Sequence, residues 1–180
     1  MTTPSDLPAG LQQLLDRQAI EDVLTRYSRA VDRADLELLK ACYHEGATED
    51  HAGVFNGTAV EYVANIGPIL PRAGVMNHMV MNVLVEFDAS DANVAKVEAY
   101  ILAFSRMKKD GEKFDTLTLA RSVDRFEKRD GRWAIARRRL CFEWNHEMPM
   151  AETWGRGLMV ENPKVLVRGG KYPNDIVYQD

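Results

Sequence analysis

One histidine interrupts a run of residues that otherwise has the composition of a buried β-strand. His78 lies within residues 74–87, which are rich in Val, Met and Leu. A buried polar group without a hydrogen-bond partner costs about 1–3 kcal/mol, so an imidazole here needs a polar neighbour. It is either a core histidine bonded to the backbone, or a general base or acid that faces a pocket.

A candidate partner for this imidazole is Asp32, at the end of the first predicted helix. A carboxylate that holds an imidazole in one tautomer makes a general base that needs no cofactor. Asp32 falls about 100° or more from the centre of the apolar stripe, so it is a surface carboxylate unless the last turn bends inward. Asp35 is the competing carboxylate, and its place before Leu36 is explained by helix capping.

Three further side chains are candidates for contact with a substrate. Tyr27 lies on the apolar face of the first helix, where its hydroxyl is either a donor in a pocket or a satisfied core group. His51, on a predicted short strand, is a secondary pocket candidate. Arg138 shares a strand face with Leu140, so it either binds an oxyanion or pairs with a buried carboxylate such as Asp124.

The strand that carries the histidine supplies the remaining predicted pocket residues. Met76, Met79 and Met81 are expected to form a pliable apolar wall for a hydrophobic ligand. Asn82, together with Asn77, is expected to add polar groups that orient that ligand. These residues predict a mostly apolar pocket around the imidazole.

Motifs for metals and phosphates are absent from the chain. Residues 43–51 contain two histidines and three carboxylates, but no known metal-ligand spacing. The chain has no glycine-rich phosphate loop and no Gly-x-Ser-x-Gly elbow. We therefore predict chemistry without a metal or a cofactor.

Composition limits the class of protein. The 180 residues are 46% hydrophobic and 28% charged, with a formal net charge of −4. This length suits one domain, and the negative charge argues against a nucleic-acid binder. No apolar stretch approaches the roughly 20 residues of a membrane span, and residues 1–10 do not resemble a signal peptide. We expect a cytoplasmic protein with a small-molecule substrate and no nucleic-acid or membrane partner.

Hydrophobic periodicity predicts helices first and a long sheet afterwards. Helices are predicted over 11–31, 35–43 and 58–66, and short strands over 47–52 and 54–56. Long strands follow over 75–87, 93–107, 114–128 and 132–144. Short polar loops between them, including the hairpin signal Asp130-Gly131, indicate an antiparallel meander. The fold class is therefore α+β, with the helices packed on one face of the sheet.

The C-terminal residues depart from this pattern. Residues 147–180 hold three of the seven prolines and four of the twelve glycines, yet they are too apolar for a solvated tail. We expect a domain over 1–146, followed by a segment over 147–180 that packs in extended form on the domain or on a neighbouring subunit.

Four stretches, in this order, resemble the SnoaL-like branch of the nuclear transport factor 2-like superfamily: residues 20–27, 30–35, 126–133 and 135–138. The resemblance covers most of residues 11–145. It implies a cone-shaped α+β barrel, in which a curved mixed sheet wraps around N-terminal helices and leaves a deep pocket at the wide end. Members include scytalone dehydratase, bile acid 7α-dehydratase, hexachlorocyclohexane dehydrochlorinase, the ketosteroid isomerases and a formaldehyde-releasing diarylpropane lyase.

The resemblance also assigns roles to residues. In the dehydratase and dehydrochlorinase members, an aspartate ending the first helix pairs with a histidine early in the first long strand, as Asp32 and His78 match here. Tyr27 precedes the aspartate by five residues, as in the bile acid enzyme. These relatives are commonly trimers. The segment around His51 and the region from 147 differ from the relatives, so the resemblance identifies no substrate.

The leading hypothesis is a cofactor-independent lyase acting on a small, hydroxylated, largely apolar molecule. His78, oriented by Asp32, would remove a proton, and Tyr27, with His51 or Arg138, would stabilise a departing or developing oxyanion. Water elimination and retro-aldol cleavage both suit this set. The alternatives are a non-catalytic ligand binder or oxygenase β subunit, and a ketosteroid-type isomerase with a lone carboxylate base.

Overall fold

The computed structural model describes residues 8–152 and 161–179. Within them lie three α-helices, α1 (Ala9–Arg33), α2 (Leu36–Ala41) and α3 (Ala59–Ile66). The strands are β1 (Tyr43–Asp50), β2 (Asn56–Thr58), β3 (Met76–Phe87), β4 (Val94–Lys109), β5 (Glu112–Arg129) and β6 (Arg132–Pro149). All three predicted helices and all six predicted strands are present, although β1 begins four residues earlier and β2 two residues later than predicted.

The six strands form one mixed, unclosed sheet in the order β2-β1-β6-β5-β4-β3. Strands β3 to β6 are the predicted antiparallel meander, and β1 lies parallel to β6. The two-residue hairpin between β5 and β6 has positive φ at Asp130 and Gly131, as its sequence predicts. The predicted α+β class is confirmed.

The apolar face of helix α1 is buried only from Ile20 onward. Ile20, Leu24 and Tyr27 are buried, whereas the leucines of the first turns (Leu11, Leu14, Leu15) are exposed, contrary to the predicted stripe. The helix continues through Asp32 to Arg33, and the chain then turns at Ala34 in the left-handed region (φ 55°). The last turn is thus a regular helical turn, and it points a carboxylate at the sheet.

Two side chains begin the shorter helices. Asp35 accepts a hydrogen bond from the backbone N–H of Leu38 at 3.0 Å, which confirms its predicted capping role. Thr58 and Glu61 form a reciprocal capping box at the start of α3. Both capped helices contact β1.

A β-bulge divides β3 into two halves with opposite alternation. Met81 pairs with Tyr100 and Leu84 pairs with Glu98, so residues 82 and 83 together oppose a single residue of β4. Asn82 adopts a positive φ of 49° at this point. The buried side therefore changes from even-numbered residues before the bulge to odd-numbered residues after it, such as Val85.

The C-terminal residues that the structure describes contact the end of α1. The backbone N–H of Tyr172 donates to the Arg33 carbonyl, and Lys171 Nζ donates to the Asp32 carbonyl at 2.8 Å. Strand β6 continues to Pro149, beyond the predicted boundary at 146. The division at 146 stays a prediction, because the apolar residues Trp154, Leu158 and Met159 lie outside the described residues.

Candidate active site

Asp32 and His78 are in direct contact. Asp32 Oδ1 lies 2.6 Å from His78 Nδ1, and Oδ2 accepts the backbone N–H of His78 at 3.0 Å. An ionised carboxylate can only accept hydrogen bonds, so Nδ1 carries the proton and Nε2 is the basic nitrogen. The exposed fractions of the two side chains, 12% for Asp32 and 21% for His78, keep the pair mostly out of bulk water.

The end of α1 is held in place by the C-terminal residues. Lys171 donates to the carbonyl of Asp32 itself, and Arg33 forms an ion pair with the buried Asp175 at 3.1 Å. Hydrogen bonds from the backbone N–H groups of Gly170 and Val177 lower the pKa of Asp175. Burial lowers the pKa of Lys171. The residues that position the carboxylate are therefore more than 130 positions away along the chain.

His78 lines a cavity of about 240 Å³. The helices and the turn after α3 contribute Tyr27, Val31, Tyr62, Ile66 and Leu70, and the sheet and the β1–β2 turn contribute His51, Met76, His78, Ile101, Ala103, Thr118, Ala120, Arg138, Leu140 and Phe142. Small residues at the centre of the sheet (Ala103, Thr118 and Ala120) leave the space that larger side chains would fill. The lining is mostly apolar, with a few polar groups, as in ordinary small-molecule sites.

A second cleft, of about 480 Å³, adjoins this cavity. It is bordered by Asp32, Met76 and residues 167–171, and it shares only Met76 with the smaller cavity. The ring of His78 does not border it. We therefore place the chemistry in the cavity of about 240 Å³.

His51 also lines the cavity, and it is paired with a buried carboxylate. Its Nδ1 lies 2.9 Å from Glu49 Oε1, while Glu49 Oε2 accepts the Tyr43 hydroxyl at 2.6 Å. Glu49 is fully buried. His51 lies in the turn after β1 rather than on a strand, and its ring stacks on Tyr62 with centroids 5.2 Å apart. In the sequence analysis, Glu49 was only counted among the three carboxylates of residues 43–51.

Tyr27 lines the cavity as predicted, but its hydroxyl is not free. It donates to the hydroxyl of Tyr62 at 3.3 Å. Burial raises the pKa of both phenols, so both remain protonated at neutral pH. A chain of donors results, in which Tyr27 donates to Tyr62 and the Tyr62 proton remains for a ligand in the cavity.

Arg138 forms the buried ion pair that the sequence allowed. Its Nε and Nη2 donate to the two oxygens of Asp124 at 3.1 and 2.7 Å, and both side chains are inaccessible to solvent. Burial opposes the charge of Arg138, but the Asp124 carboxylate more than offsets this and holds its pKa well above the usual range. The guanidinium also lies 4.0 Å from the ring centroid of Tyr27. Arg138 therefore borders the cavity as a fixed positive charge.

Some predicted pocket residues lie elsewhere. Met76 lines the cavity, but Asn82, predicted to orient the ligand, is exposed outside it because the bulge in β3 turns it away. Asn77 and Met79 alternate to the outer face of β3 and are exposed, and Met81 is absent from the lining. The prediction that Asn82, Met79 and Met81 line the pocket is wrong.

Two residues of the site were not selected from the sequence: Tyr62, which lines the cavity, and Glu49, which holds the ring of His51 from behind the lining. Glu49 and His51 are two positions apart in a β-strand pattern, which places them on one face with the buried Ala47. Tyr62 is one turn from the buried Ala59 on the apolar face of the predicted third helix. These spacings were available signals for both residues.

Across residues 8–152 and 161–179, no three histidine, cysteine or carboxylate side chains are grouped so that they can hold a metal ion. Over the same residues, none of the helices combines the length and the apolar character needed to cross a bilayer.

The mixed sheet, the helices packed against it and the acid–imidazole pair at the cavity wall define an α+β protein with a mostly apolar cavity. The family model of the SnoaL-like domain matches residues 12–139. The chain therefore belongs to the SnoaL-like family, within the nuclear transport factor 2-like superfamily. No curated protein sequence matches the chain.

Solved structures share this fold at low sequence identity. LinA has a TM-score of 0.69 at 22% identity, over 81% of this chain and 97% of LinA. A type 2 hexachlorocyclohexane dehydrochlorinase has a TM-score of 0.71 at 19% identity, over 83% of this chain and all of that chain. A scytalone dehydratase candidate from Novosphingobium aromaticivorans has a TM-score of 0.67 at 24% identity, over 77% of this chain and 91% of that chain.

Proposed function

We propose that this chain is a cofactor-independent lyase for a small, largely apolar, hydroxylated molecule. The observation that carries the proposal is the Asp32–His78 contact at the wall of a mostly apolar cavity. Asp32 keeps the proton on Nδ1, so Nε2 of His78 accepts a proton from the guest. The dehydrochlorinase and dehydratase names of proteins with the same fold suggest elimination chemistry.

Two reactions suit this arrangement. In water elimination, His78 takes a proton from carbon and a hydroxyl departs from the adjacent carbon. In retro-aldol cleavage of a β-hydroxy carbonyl compound, His78 takes the proton of the hydroxyl and the O–H electrons form the C=O bond of formaldehyde. The adjacent carbon–carbon bond breaks, its electron pair moves to the carbonyl group as an enolate, and the enolate carbon takes the proton back from His78. The Tyr62 hydroxyl, which accepts a hydrogen bond from Tyr27, donates to the oxygen that becomes negative. The positive charge of Arg138 stabilises the same oxygen.

The cavity volume favours a small guest. About 240 Å³ is below the range of roughly 300–1,000 Å³ that is usual for ligand pockets, which favours a molecule with one or two rings. A ketosteroid-type isomerase would need a carboxylate base in the cavity. Among the described residues that line it, none is Asp or Glu, so we favour the lyase.

The test is turnover by the purified full chain. The protein is incubated with hydroxylated aromatic and polycyclic compounds, and mass spectrometry detects the loss. The first compounds are 4-hydroxy-4-phenylbutan-2-one for lost water and 4-hydroxy-3-phenylbutan-2-one, which carries a hydroxymethyl group, for lost formaldehyde. His78→Gln should reduce turnover by about 10²–10⁴-fold, while His146→Gln, at an exposed histidine of β6, should not. Binding without a change in mass would instead indicate a ligand-binding protein.

The oligomeric state stays a prediction. We propose a trimer, as in the related enzymes that the sequence resembles. Large apolar side chains on the sheet are exposed in the single chain, namely Met79, Leu84, Phe142 and Trp144. Sedimentation equilibrium on the purified chain tests this proposal, and a monomer would contradict it.

A further inference from the structure

The cavity is bordered by a second acid–imidazole pair, Glu49–His51. Glu49 is fully buried and accepts two hydrogen bonds, one from the Tyr43 hydroxyl and one from His51 Nδ1. A buried carboxylate is costly unless it is paired and hydrogen-bonded, and these two donors compensate that cost. The pair repeats the arrangement of Asp32 with His78, in which a carboxylate also holds Nδ1.

The ring of His51 is fixed so that its other nitrogen is left for the cavity. The ring stacks on Tyr62 with an interplanar angle of 21° and meets the edge of Phe142, with centroids 6.3 Å apart. Both of these neighbours line the cavity with His51. Because Nδ1 is used by Glu49, Nε2 on the far side of the ring is the atom that meets a guest.

The two imidazoles reach the cavity from different edges of the sheet. His78 lies on β3, the last strand at one edge, and His51 follows β1, next to the other edge. Both line one cavity because the sheet curls around the helices. A guest in the cavity therefore lies between two imidazoles, each oriented by its own carboxylate.

The phenols of the cavity are less suited to give up a proton. The Tyr27 hydroxyl is committed to Tyr62, and burial raises the pKa of both groups. Arg138 is engaged with Asp124 and keeps its proton. His51 lines the same cavity with Nδ1 bonded to Glu49 and the other ring nitrogen left over, so its imidazole is the remaining group that can deliver a proton there.

We propose that His51, held by Glu49, is the general acid of the cavity and that it protonates the oxygen that leaves. The inference rests on the proposed lyase function. In water elimination, His78 Nε2 takes a proton from carbon, and the electrons of that C–H bond form the new double bond. The neighbouring C–O bond breaks, and its oxygen takes the proton of His51 Nε2 and departs as water. One proton has then moved from His51 to His78 overall, and exchange with solvent restores both rings.

The experiment compares two substrates that differ only in the leaving group, 4-hydroxy-4-phenylbutan-2-one and its 4-acetoxy analogue. Both give the same unsaturated ketone, but acetate departs without being protonated first. His51→Gln should lower kcat for the hydroxy compound by about 10²–10⁴-fold, and for the acetoxy compound by less than about tenfold. His78→Gln should lower both, because both need the base. Rates are taken above the uncatalysed reaction, and His146→Gln is the matched control.

Glu49→Gln should reproduce the leaving-group dependence of His51→Gln. The His51 side chain is 24% exposed, whereas Glu49 is fully buried. His51→Gln therefore tests the general-acid role even if Glu49→Gln does not fold. Equal losses on both substrates in His51→Gln, or no loss on either, would overturn the general-acid role while leaving the lyase proposal intact. If the wild-type chain eliminates neither water nor acetate and releases no formaldehyde from the hydroxylated compounds of the turnover screen, the lyase proposal itself is contradicted.

Discussion

The Asp32 carboxylate contacts His78 twice, once at the ring and once at the backbone. Oδ1 lies 2.6 Å from Nδ1, and Oδ2 accepts the backbone N–H at 3.0 Å. One carboxylate therefore fixes both the tautomer of the imidazole and the position of β3 relative to the end of α1. The same residue serves the fold and the proposed chemistry.

Asp32→Asn should reduce turnover without preventing folding. The amide offers one acceptor and one donor group, so it cannot accept both hydrogen bonds, and the imidazole loses its fixed tautomer. We expect kcat for water or formaldehyde release to fall by about 10²–10⁴-fold. Asp35→Asn, at the cap of α2, is the matched control. Unchanged turnover in Asp32→Asn would remove His78 as an oriented base.

Substitution in the buried Arg138–Asp124 ion pair should cause a large loss in the free energy of unfolding. Arg138→Leu leaves the Asp124 carboxylate buried and unpaired, which should cost about 3–5 kcal/mol in the free energy of unfolding. The double variant Arg138→Leu/Asp124→Leu should recover much of that loss. Urea denaturation measures all three proteins. Arg139→Leu, at an exposed neighbour, should change stability by no more than about 0.5 kcal/mol.

The buried phenols predict a loss of stability at high pH. Burial raises the pKa of Tyr27, Tyr43 and Tyr62 above their ordinary value of 10.0. Above pH 10 the unfolded chain loses phenolic protons that the folded chain keeps, so the free energy of unfolding falls as pH rises. Below that pH these groups contribute no slope.

Each of the three phenols contributes up to about 1.4 kcal/mol per pH unit to this slope. Urea denaturation on both sides of the ordinary tyrosine pKa measures it. Tyr62→Phe should remove the contribution of one phenol to the change of unfolding free energy with pH. Tyr172→Phe, at an exposed tyrosine, is the control and should leave that slope unchanged. A flat profile across this range would contradict the prediction.

The C-terminal contact with α1 should influence the site from a distance. Lys171→Met removes the hydrogen bond to the Asp32 carbonyl, and a small displacement of that carboxylate should lower turnover by about tenfold to a hundredfold. Tyr178→Phe is the control, because it removes a hydrogen bond to Asp35 and not to Asp32. That change should cost about 0.5–1.5 kcal/mol in unfolding free energy with turnover preserved. Equal turnover in both variants would show that Lys171 does not position the site.

Local signals in the sequence predicted most elements correctly. The Asp130-Gly131 hairpin, the Asp35 cap and the burial of Arg138 between two exposed arginines all follow from rules that act over a few residues. Local rules failed for the leucines at the start of α1, which were predicted to be buried and are exposed. Periodicity gives a helix an apolar face, but it does not say whether another element covers that face.

The wrong prediction for Asn82 has the same origin. Strict alternation along β3 would place Asn82 on the side of His78, but the bulge inserts one residue and reverses the faces beyond it. The bulge is formed against β4, whose register depends on sequence some twenty residues away. The partner of His51 was within reach, since Glu49 is two residues away on the same face.

The sequence alone determined the helices, the meander, the fold class and the identity of the residues able to exchange protons, because these depend on side-chain type and short spacing. Tertiary structure decided which of those residues meet. Asp32 and His78 are 46 positions apart, and the packing of α1 against β3 brings them together. Hydrogen bonds between distant segments have no local periodicity, so contacts such as that of Lys171 with the Asp32 carbonyl emerged only from the folded chain.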